Sequence, residues 1–178
     1  MQTYISILRG INVSGQKKII MTDLVKLYED LGFKDVVSYI QSGNVIFKTN
    51  LKTTDTKLAK QIEAKIIEKY DFQVPVIIRS LEELHRISTQ NPFINEPEDS
   101  LYVTFLSGTP NANNLEKLED VSFLPDVYEI KDKEIFLSVA SYGNTKLSNN
   151  FFESKLKVTA TTRNWKTVNK LLAMANEQ

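Results

Sequence analysis

The chain has 178 residues, 42% of them hydrophobic and 25% charged, which is typical of a folded protein of one or two domains. It contains no cysteine and one histidine, His85. This excludes disulfide scaffolds, thiolate nucleophiles, zinc fingers, iron–sulfur ligation and any metal site that needs two histidines. The N-terminal segment lacks the pattern of a signal peptide, and no window has the apolar length of a membrane span. We therefore expect a cytoplasmic protein with no membrane partner.

The 22 basic and 22 acidic residues cancel in total but are distributed unevenly. Residues 1–80 hold 12 basic and 8 acidic residues, residues 81–134 hold 4 and 12, and residues 135–178 hold 6 and 2. An anionic partner is therefore expected to prefer the two ends of the chain. Solvated helix faces explain the same charge blocks without a partner. A pI near 6.6 argues against a dedicated binder of duplex DNA.

Apolar periodicity predicts the order β-α-β-β-α-β over the first 80 residues. The predicted elements are a strand at 3–9, a helix at 23–31, strands at 36–41 and 44–48, a helix through Leu58, Ile62, Ile66 and Tyr70, and a strand at 74–79. Thr22 is expected to cap the first helix and Gly32 to end it. Ser42-Gly43 is expected to form a two-residue hairpin turn, and Pro75 indicates an edge strand. This order is typical of a ferredoxin-like unit.

The pattern begins again after a linking segment at 81–100. Ser80 and Glu83 form a capping box that starts a helix, which should end before Asn91-Pro92 and be followed by an acidic loop. Residues 102–108 then align with residues 4–10, which predicts an internal duplication. The expected elements are a strand at 102–108, a helix opened by Thr109-Pro110, a hairpin of 127–131 and 134–140 around Asp132-Lys133, a helix at 149–157, and a helix at 164–175 where a fourth strand would stand.

We therefore predict an α+β protein with two ferredoxin-like (βαββαβ-type) subdomains at residues 1–80 and 101–178. Residues 81–100 supply the linking helix and acidic loop. The second subdomain is predicted to end in an extra C-terminal helix.

Polar and basic residues are predicted to gather at one edge of the first sheet. A β-α-β crossover makes its two strands parallel, so the end of the first strand, the start of the first helix and the hairpin turn share an edge. The candidate ligand-binding residues there are Arg9, Asn12, Lys17, Lys18, Gln41, Ser42 and Asn44. Together with two glycines and the unpaired N–H groups of the helix, they predict an anion site. The spacing matches neither the Walker loop nor G-x-G-x-x-G.

Structural roles explain many of the same residues. Turn chemistry accounts for the glycines and asparagines, and solvation accounts for the two lysines. Arg9 ends a buried strand on the side of Ile5 and Ile7, so its charge needs a partner, either a ligand or an internal carboxylate.

A second polar cluster spans residues 159–165. Thr161 or Thr162 is expected to cap the last helix. Arg163 would then lie in the first turn, where a cation opposes the helix dipole and invites a salt bridge or a bound anion. Asn164 is a further candidate for binding backbone or ligand, while Trp165 begins an apolar stripe and is interpreted as core.

Metals and cofactors have no recognisable motif in the chain. We expect His85 to be a surface or hydrogen-bonded histidine, because no Ser–His–Asp arrangement accompanies it. The acidic run at 96–99 lacks the spacing of an EF-hand loop. The sequence therefore indicates no metal and no cofactor.

Three stretches carry a family resemblance: Leu-Arg-Gly-Ile-Asn-Val at 8–13, Tyr-Ile-Gln-Ser-Gly-Asn-Val at 39–45 and Thr-Thr-Arg-Asn-Trp-Lys-Thr at 161–167. In order and spacing they resemble the bacterial family known as domain of unknown function 1697. One departure is Ser14, where the family pattern R-G-I-N-V-G-G has glycine. The resemblance implies two ferredoxin-like subdomains and no established activity, cofactor or catalytic residue. It marks these candidate positions: Arg9, Gly10, Asn12, Gln41, Ser42, Gly43, Asn44, Arg163, Asn164 and Trp165.

Three functional hypotheses follow. In the first, the protein binds a phosphate-bearing ligand, either a nucleotide or a single-stranded nucleic acid, at the first strand–helix loop. Arg163 would complete the site, and Tyr4 and Tyr102 would either stack bases or pack the halves together.

In the second hypothesis, an enzyme acts on a small polar or anionic substrate in a cleft between the halves. Gln41, Asn44 and Asn164 would orient the substrate, and Arg9 or Arg163 would stabilise developing negative charge. No general base is evident in the sequence. The third hypothesis is a protein-interaction module that uses a sheet face or the acidic middle segment. The oligomeric state is left open.

Overall fold

The computed structural model describes all residues from 1 to 178. The eight strands are β1 (Gln2–Leu8), β2 (Lys34–Tyr39), β3 (Asn44–Thr49), β4 (Val76–Ser80), β5 (Leu101–Leu106), β6 (Val127–Lys131), β7 (Glu134–Ser138) and β8 (Ala160–Asn164). The six α-helices are α1 (Met21–Asp30), α2 (Asp55–Tyr70), α3 (Leu81–Thr89), α4 (Ala112–Leu115), α5 (Asn149–Leu156) and α6 (Trp165–Asn176). None of these helices combines the length and apolarity needed to cross a membrane.

The chain divides into two compact units, each with one four-stranded antiparallel sheet. The first unit comprises Met1–His85 with Lys170–Gln178, and the second comprises Arg86–Asn169. The strand orders are β2-β3-β1-β4 and β6-β7-β5-β8, which are the same topology. This confirms the predicted α+β class with two ferredoxin-like halves. The boundaries at residues 80 and 100 and the internal duplication stay predictions.

The core of the first unit follows from the two periodicities of its elements. Alternate residues of the strands point to one sheet face, and every third or fourth residue of α1 and α2 meets them. The Phe47 ring lies at the centre, with ring centroids 5.8 Å from Tyr4, 5.4 Å from Tyr28 and 4.5 Å from Phe33. Tyr28 is fully buried, and its hydroxyl lies 2.6 Å from Ser6 Oγ, so its polar atom has a partner.

The second unit corrects the prediction for the end of the chain. Residues 160–164 form β8, which pairs antiparallel with β5 through the register Val103↔Arg163, and α6 follows this strand instead of replacing it. The sequence Ala-Thr-Thr-Arg-Asn shows no apolar alternation, so its pattern resembles a helix cap more than a strand. Pairing with a buried neighbouring strand determines its conformation.

Two helix starts also differ from the sequence prediction. Helix α1 begins at Met21 after Ile20, so Thr22 lies inside the first turn and no side chain caps the helix. Helix α4 is capped by Asn111, whose Oδ1 accepts a hydrogen bond from the Asn114 backbone N–H at 2.9 Å. Thr109 instead donates its hydroxyl to Asp132. Propensity alone cannot choose among adjacent polar residues, because the entry angle of the chain decides which one reaches the helix.

Several local predictions are confirmed. Ser80 and Glu83 form the reciprocal capping box of α3, with bonds of 2.8 and 3.1 Å. Strand β4, which follows Pro75, lies at the edge of its sheet. The β6–β7 hairpin turns through Asp132 and Lys133, with Lys131 paired to Glu134.

Candidate functional site

The predicted convergence at one edge of the first sheet is confirmed by two hydrogen bonds. The backbone N–H of Leu8, at the end of β1, donates to the Gly43 carbonyl at 2.8 Å. The side chain of Asn12, in the β1–α1 loop, donates to the Gln41 carbonyl at 2.9 Å. The loop and the β2–β3 turn are therefore neighbours, as the crossover geometry requires.

Asn12 closes the β1–α1 loop. Its Nδ2 donates to the carbonyls of Ile19 and Gln41, and its Oδ1 accepts from the Ile19 backbone N–H at 2.9 Å. It occupies the left-handed region at φ 56°, which asparagine tolerates better than most residues. Both ends of the amide are engaged, so Asn12 holds the loop in place and keeps no donor for a ligand.

The β2–β3 turn is longer than predicted. Tyr39 pairs with Asn44, which leaves residues 40–43 as a four-residue turn instead of a two-residue Ser42-Gly43 turn. Asn44 is buried, and its Nδ2 donates to the Tyr39 carbonyl at 3.0 Å and to Ser42 Oγ at 3.1 Å. This bridge across the turn explains why two more residues are needed. It also directs Ser42 and Asn44 to the interior of the turn.

The three basic residues of this edge have different surroundings. Lys17 is half-buried, and its Nζ donates to the Gln73 carbonyl at 2.7 Å, which ties the loop to the segment before β4. Arg9 has a half-buried side chain, and its backbone N–H donates to the Pro75 carbonyl. Lys18 is exposed and lines a pocket.

This pocket, the α1 pocket, has a volume of about 470 Å³ and lies at the N-terminus of α1. Its lining residues are Asn12, Gly15, Lys18, Ile19, Ile20, Met21, Thr22 and Gln41. Of the candidate binding residues, it therefore brings together Asn12, Lys18 and Gln41. Because no side chain caps α1, the N–H groups of its first turn carry the positive end of the helix dipole toward the pocket side.

Arg163 and Asn164 belong to the second unit, and Arg163 corrects a prediction. It lies in β8, not in the first turn of a helix, and it is buried. Its Nη1 donates to Thr161 Oγ1 at 3.1 Å and to the Thr162 carbonyl at 3.0 Å. Burial lowers the pKa of Arg163 to about 10, although the electrostatic effect of Tyr142 acts in the opposite direction and raises it. The guanidinium therefore stays charged at neutral pH.

Asn164 caps α6, a role that the sequence had assigned to Thr161 or Thr162. Its Oδ1 accepts from the Thr167 backbone N–H at 2.8 Å. Thr162 bonds instead with Thr104 and Asn149, both at 2.7 Å. Trp165 begins α6 and is buried, which confirms its interpretation as a core residue.

Arg79 was missed by the sequence analysis, although it is the largest fully buried side chain. Its place in the first unit matches that of Arg163 in the second, since Arg79 pairs with Ile5 of β1 and Arg163 with Val103 of β5. Each arginine donates from Nη1 to the carbonyl of the residue before it, over 2.8 Å and 3.0 Å. Each precedes a helix-capping residue. The sequence signal for Arg79 is its position at the end of the otherwise apolar stretch 76–79, where a charged side chain needs a partner.

Three other side chains singled out from the sequence, those of His85, Tyr4 and Tyr102, contact side chains of this protein. His85 Nε2 lies 2.8 Å from Asn176 Oδ1 at the surface, in line with the expected hydrogen-bonded histidine. Tyr4 is buried against Phe47, so its ring cannot stack on a base. Tyr102 stacks on Tyr142 at 4.9 Å between ring centroids. No three acidic, histidine or cysteine side chains cluster in a way that could hold a metal ion.

Comparison with known proteins supports the fold and gives no activity. A solved structure of a conserved bacterial protein from Streptococcus pneumoniae is similar, with a TM-score of 0.76 and 24% identity over 98% of each chain. At this identity the likeness concerns the fold alone. No curated protein matches the chain. The family model described as a protein of unknown function, DUF1697, matches residues 1–136. Because this match covers most of the chain, the protein belongs to the DUF1697 family.

Proposed function

We propose that this protein binds a small phosphate-bearing ligand in the α1 pocket. The observation that carries the proposal is the combination, in one pocket of about 470 Å³, of an exposed lysine with a helix N-terminus that no side chain caps. Helix N-termini favour anions because their N–H groups are unpaired and the dipole is positive there. The volume lies within the range of about 300–1,000 Å³ that small-molecule sites occupy.

The residues of the pocket divide into ligand contacts and supports. Lys18 supplies an exposed cation, and the Gln41 and Thr22 side chains supply further polar groups. Asn12 supports the site by holding Gln41 and Ile19 in place. The carboxylate of Asp23 in the first turn offsets part of the positive charge at this helix end. The positive charge of Lys18 is therefore needed to attract an anion.

A small molecule fits this pocket better than a single-stranded nucleic acid. Proteins that bind single strands present aromatic rings on which successive bases stack. The lining of the α1 pocket contains no aromatic residue, and the Tyr4 ring is enclosed in the core. The enzymatic and protein-interaction alternatives stay predictions. For the enzymatic alternative, no residue of the pocket is an evident general base.

The proposal is tested by titrating ¹⁵N-labelled protein with inorganic phosphate, a nucleoside monophosphate and a short RNA while recording amide chemical shifts. We expect saturable shifts at Met21, Thr22 and the β1–α1 loop with the small ligands. Lys18→Glu should weaken binding about tenfold or more, because a charge-assisted contact is replaced by repulsion. Lys60→Glu, which makes the same charge change on the exposed face of α2, should leave the affinity unchanged.

Two results would contradict the proposal. One is the absence of saturable shifts with every small phosphate compound. The other is an equal loss of affinity in the Lys18→Glu and Lys60→Glu variants, which would show a diffuse charge effect and no site. Saturation by RNA alone, with steep weakening at higher salt, would identify a nucleic-acid binder instead.

A further inference from the structure

Another pocket of the first unit lies at the opposite end of the sheet from the α1 pocket, and we call it the β3 pocket. It has a volume of about 460 Å³ and is lined by Met1, by residues 31–34, which lead from α1 into β2, and by residues 49–51 at the end of β3. Strand β1 runs from this end toward Leu8, which contacts the β2–β3 turn. A strand of this length spans about 20 Å, so the two pockets are separate sites.

The lining of the β3 pocket is mainly apolar, and part of it is open to solvent. Met1 is 68% exposed and Leu51 is 49% exposed, so two large apolar side chains on one concave surface face water. Phe33, by contrast, is buried and stacks on Phe47 of the core, with 4.5 Å between the ring centroids. The pocket therefore joins exposed apolar surface to the fixed core, and an apolar ligand would be stabilised by covering it.

A cation without a partner lies in this apolar lining. Lys34 is the only charged side chain that lines the pocket. It pairs in the β2–β3 register with Lys48, and like charges opposite each other on adjacent strands are destabilising. Lys48 is neutralised by Asp35, whose carboxylate it contacts at 2.8 Å, whereas Lys34 forms no hydrogen bond or ion pair within the protein. An anionic group beside Lys34 would supply the missing opposite charge.

The end of α1 limits the charge that such a group can carry. Residues 31 and 32 of the lining follow the C-terminus of α1, where the helix dipole is negative, and the last turn of this helix contains no basic residue. A dianion such as a phosphate ester is therefore less favourable here than a single carboxylate.

We propose that the β3 pocket binds a linear aliphatic carboxylate, a ligand with one negative charge and an unbranched hydrocarbon chain. The carboxylate lies beside Lys34, and the chain covers Met1 and Leu51. The volume is within the range of about 300–1,000 Å³ that small-molecule sites occupy. This site is independent of the phosphate site proposed for the α1 pocket.

The test titrates ¹⁵N-labelled protein with octanoate, hexanoate and 1-octanol at constant ionic strength. Amide shifts locate the site, and calorimetry measures the affinity. We expect octanoate to give saturable shifts at residues 31–34 and 49–51, and none at residues 12–22 around the α1 pocket. Octanoate should bind about tenfold more tightly than hexanoate, because each additional methylene that is fully buried strengthens binding about fourfold.

Two variants separate the charge from the apolar contact. Lys34→Gln should weaken octanoate about threefold and leave 1-octanol unchanged, because only the carboxylate loses an ionic partner. Lys60→Gln, on the exposed face of α2, is the control for net charge. Leu51→Ala should weaken octanoate and 1-octanol alike, by about threefold. Leu124→Ala, which shortens an exposed leucine of the second unit, should weaken neither.

The inference is overturned if octanoate gives no saturable shifts in the β3 pocket or if hexanoate binds as tightly. Equal effects of Lys34→Gln and Lys60→Gln on octanoate would also overturn it, because the pocket would then not select for charge. The same holds if Leu124→Ala weakens octanoate as much as Leu51→Ala does. Circular dichroism checks that the four variants are folded. None of these probes carries a phosphate group, so each of these outcomes leaves the proposed function in place.

Discussion

Replacing Gly43 by alanine should destabilise the first unit strongly, because two separate costs meet at this position. Gly43 lies in the β2–β3 turn at φ 83°, in the left-handed region that favours glycine. A Cβ there would lie 2.8 Å from Leu8 Cβ and 2.7 Å from Ile11 Cδ1. Carbon atoms at such distances overlap, so the turn must move away from the end of β1.

The expected loss follows from the two terms. The left-handed conformation costs a residue with a Cβ about 1–2 kcal/mol. Forcing an extra carbon into a packed site costs about 1–3 kcal/mol, and Leu8 Cβ cannot rotate away because it is fixed to the backbone of β1. We therefore expect Gly43→Ala to lower the free energy of unfolding by about 2–5 kcal/mol.

Two glycines serve as controls. Gly32 has a similar φ of 87° but open space around its Cβ position, so Gly32→Ala isolates the conformational cost of about 1–2 kcal/mol. Gly108 has open space and no positive φ, so Gly108→Ala should change stability by less than about 1 kcal/mol. Urea unfolding followed by circular dichroism gives the free energies. Amide exchange at Leu8, which donates to the Gly43 carbonyl, reports the local effect.

The comparison of Gly43→Ala with Gly32→Ala decides the matter. If both lose the same stability, the close approach of the turn to β1 contributes nothing and the steric reasoning is wrong. If Gly43→Ala is as mild as Gly108→Ala, the positive φ is also not required.

Three further predictions concern side-chain hydrogen bonds and one buried titratable hydroxyl. Asn12→Ala removes the three side-chain hydrogen bonds that close the β1–α1 loop, so it should cost about 1–3 kcal/mol in urea unfolding and accelerate amide exchange in that loop. Burial raises the pKa of Tyr28 well above 10.0, so the unfolded chain loses this proton first and stability should fall as the pH rises above about 10. Tyr28→Phe should lose about 1 kcal/mol at neutral pH with its bond to Ser6, and show a smaller alkaline fall. Asn164→Ala should cost about 1 kcal/mol by removing the cap on the Thr167 N–H, while Asn164→Asp keeps it; thermal unfolding distinguishes them.

The regular parts of the fold were accessible from local patterns. The helix through Leu58, Ile62 and Ile66 and the β6–β7 hairpin appear where periodicity and turn residues place them. The failures lie at element ends and in β8. A polar strand such as 160–164 has no pattern of its own, because its conformation comes from pairing with β5. The four-residue turn of the first hairpin likewise depends on the Asn44 bridge, which links residues across the turn.

For the candidate site, the sequence identified the edge but not the role of each side chain. The crossover rule was enough to bring the β1–α1 loop and the β2–β3 turn together. It could not show that the side chains of Asn12 and Lys17 donate hydrogen bonds to backbone carbonyls. Nor could it show that Lys18 lines the pocket. These differences arise from side-chain direction and from contacts between segments distant in the chain.

The amino-acid sequence by itself determined the class of the protein, the order of most elements, the absence of thiolate chemistry and the family. Composition and period-2 or period-3.6 patterns are local properties of the chain, so they can be read without knowing which segments pack together. Only the tertiary structure decided that Arg163 lies in a strand, that Arg79 is its counterpart and that Asn164 caps the last helix. Each of these depends on hydrogen bonds and burial, which exist only once the chain has brought its strands together.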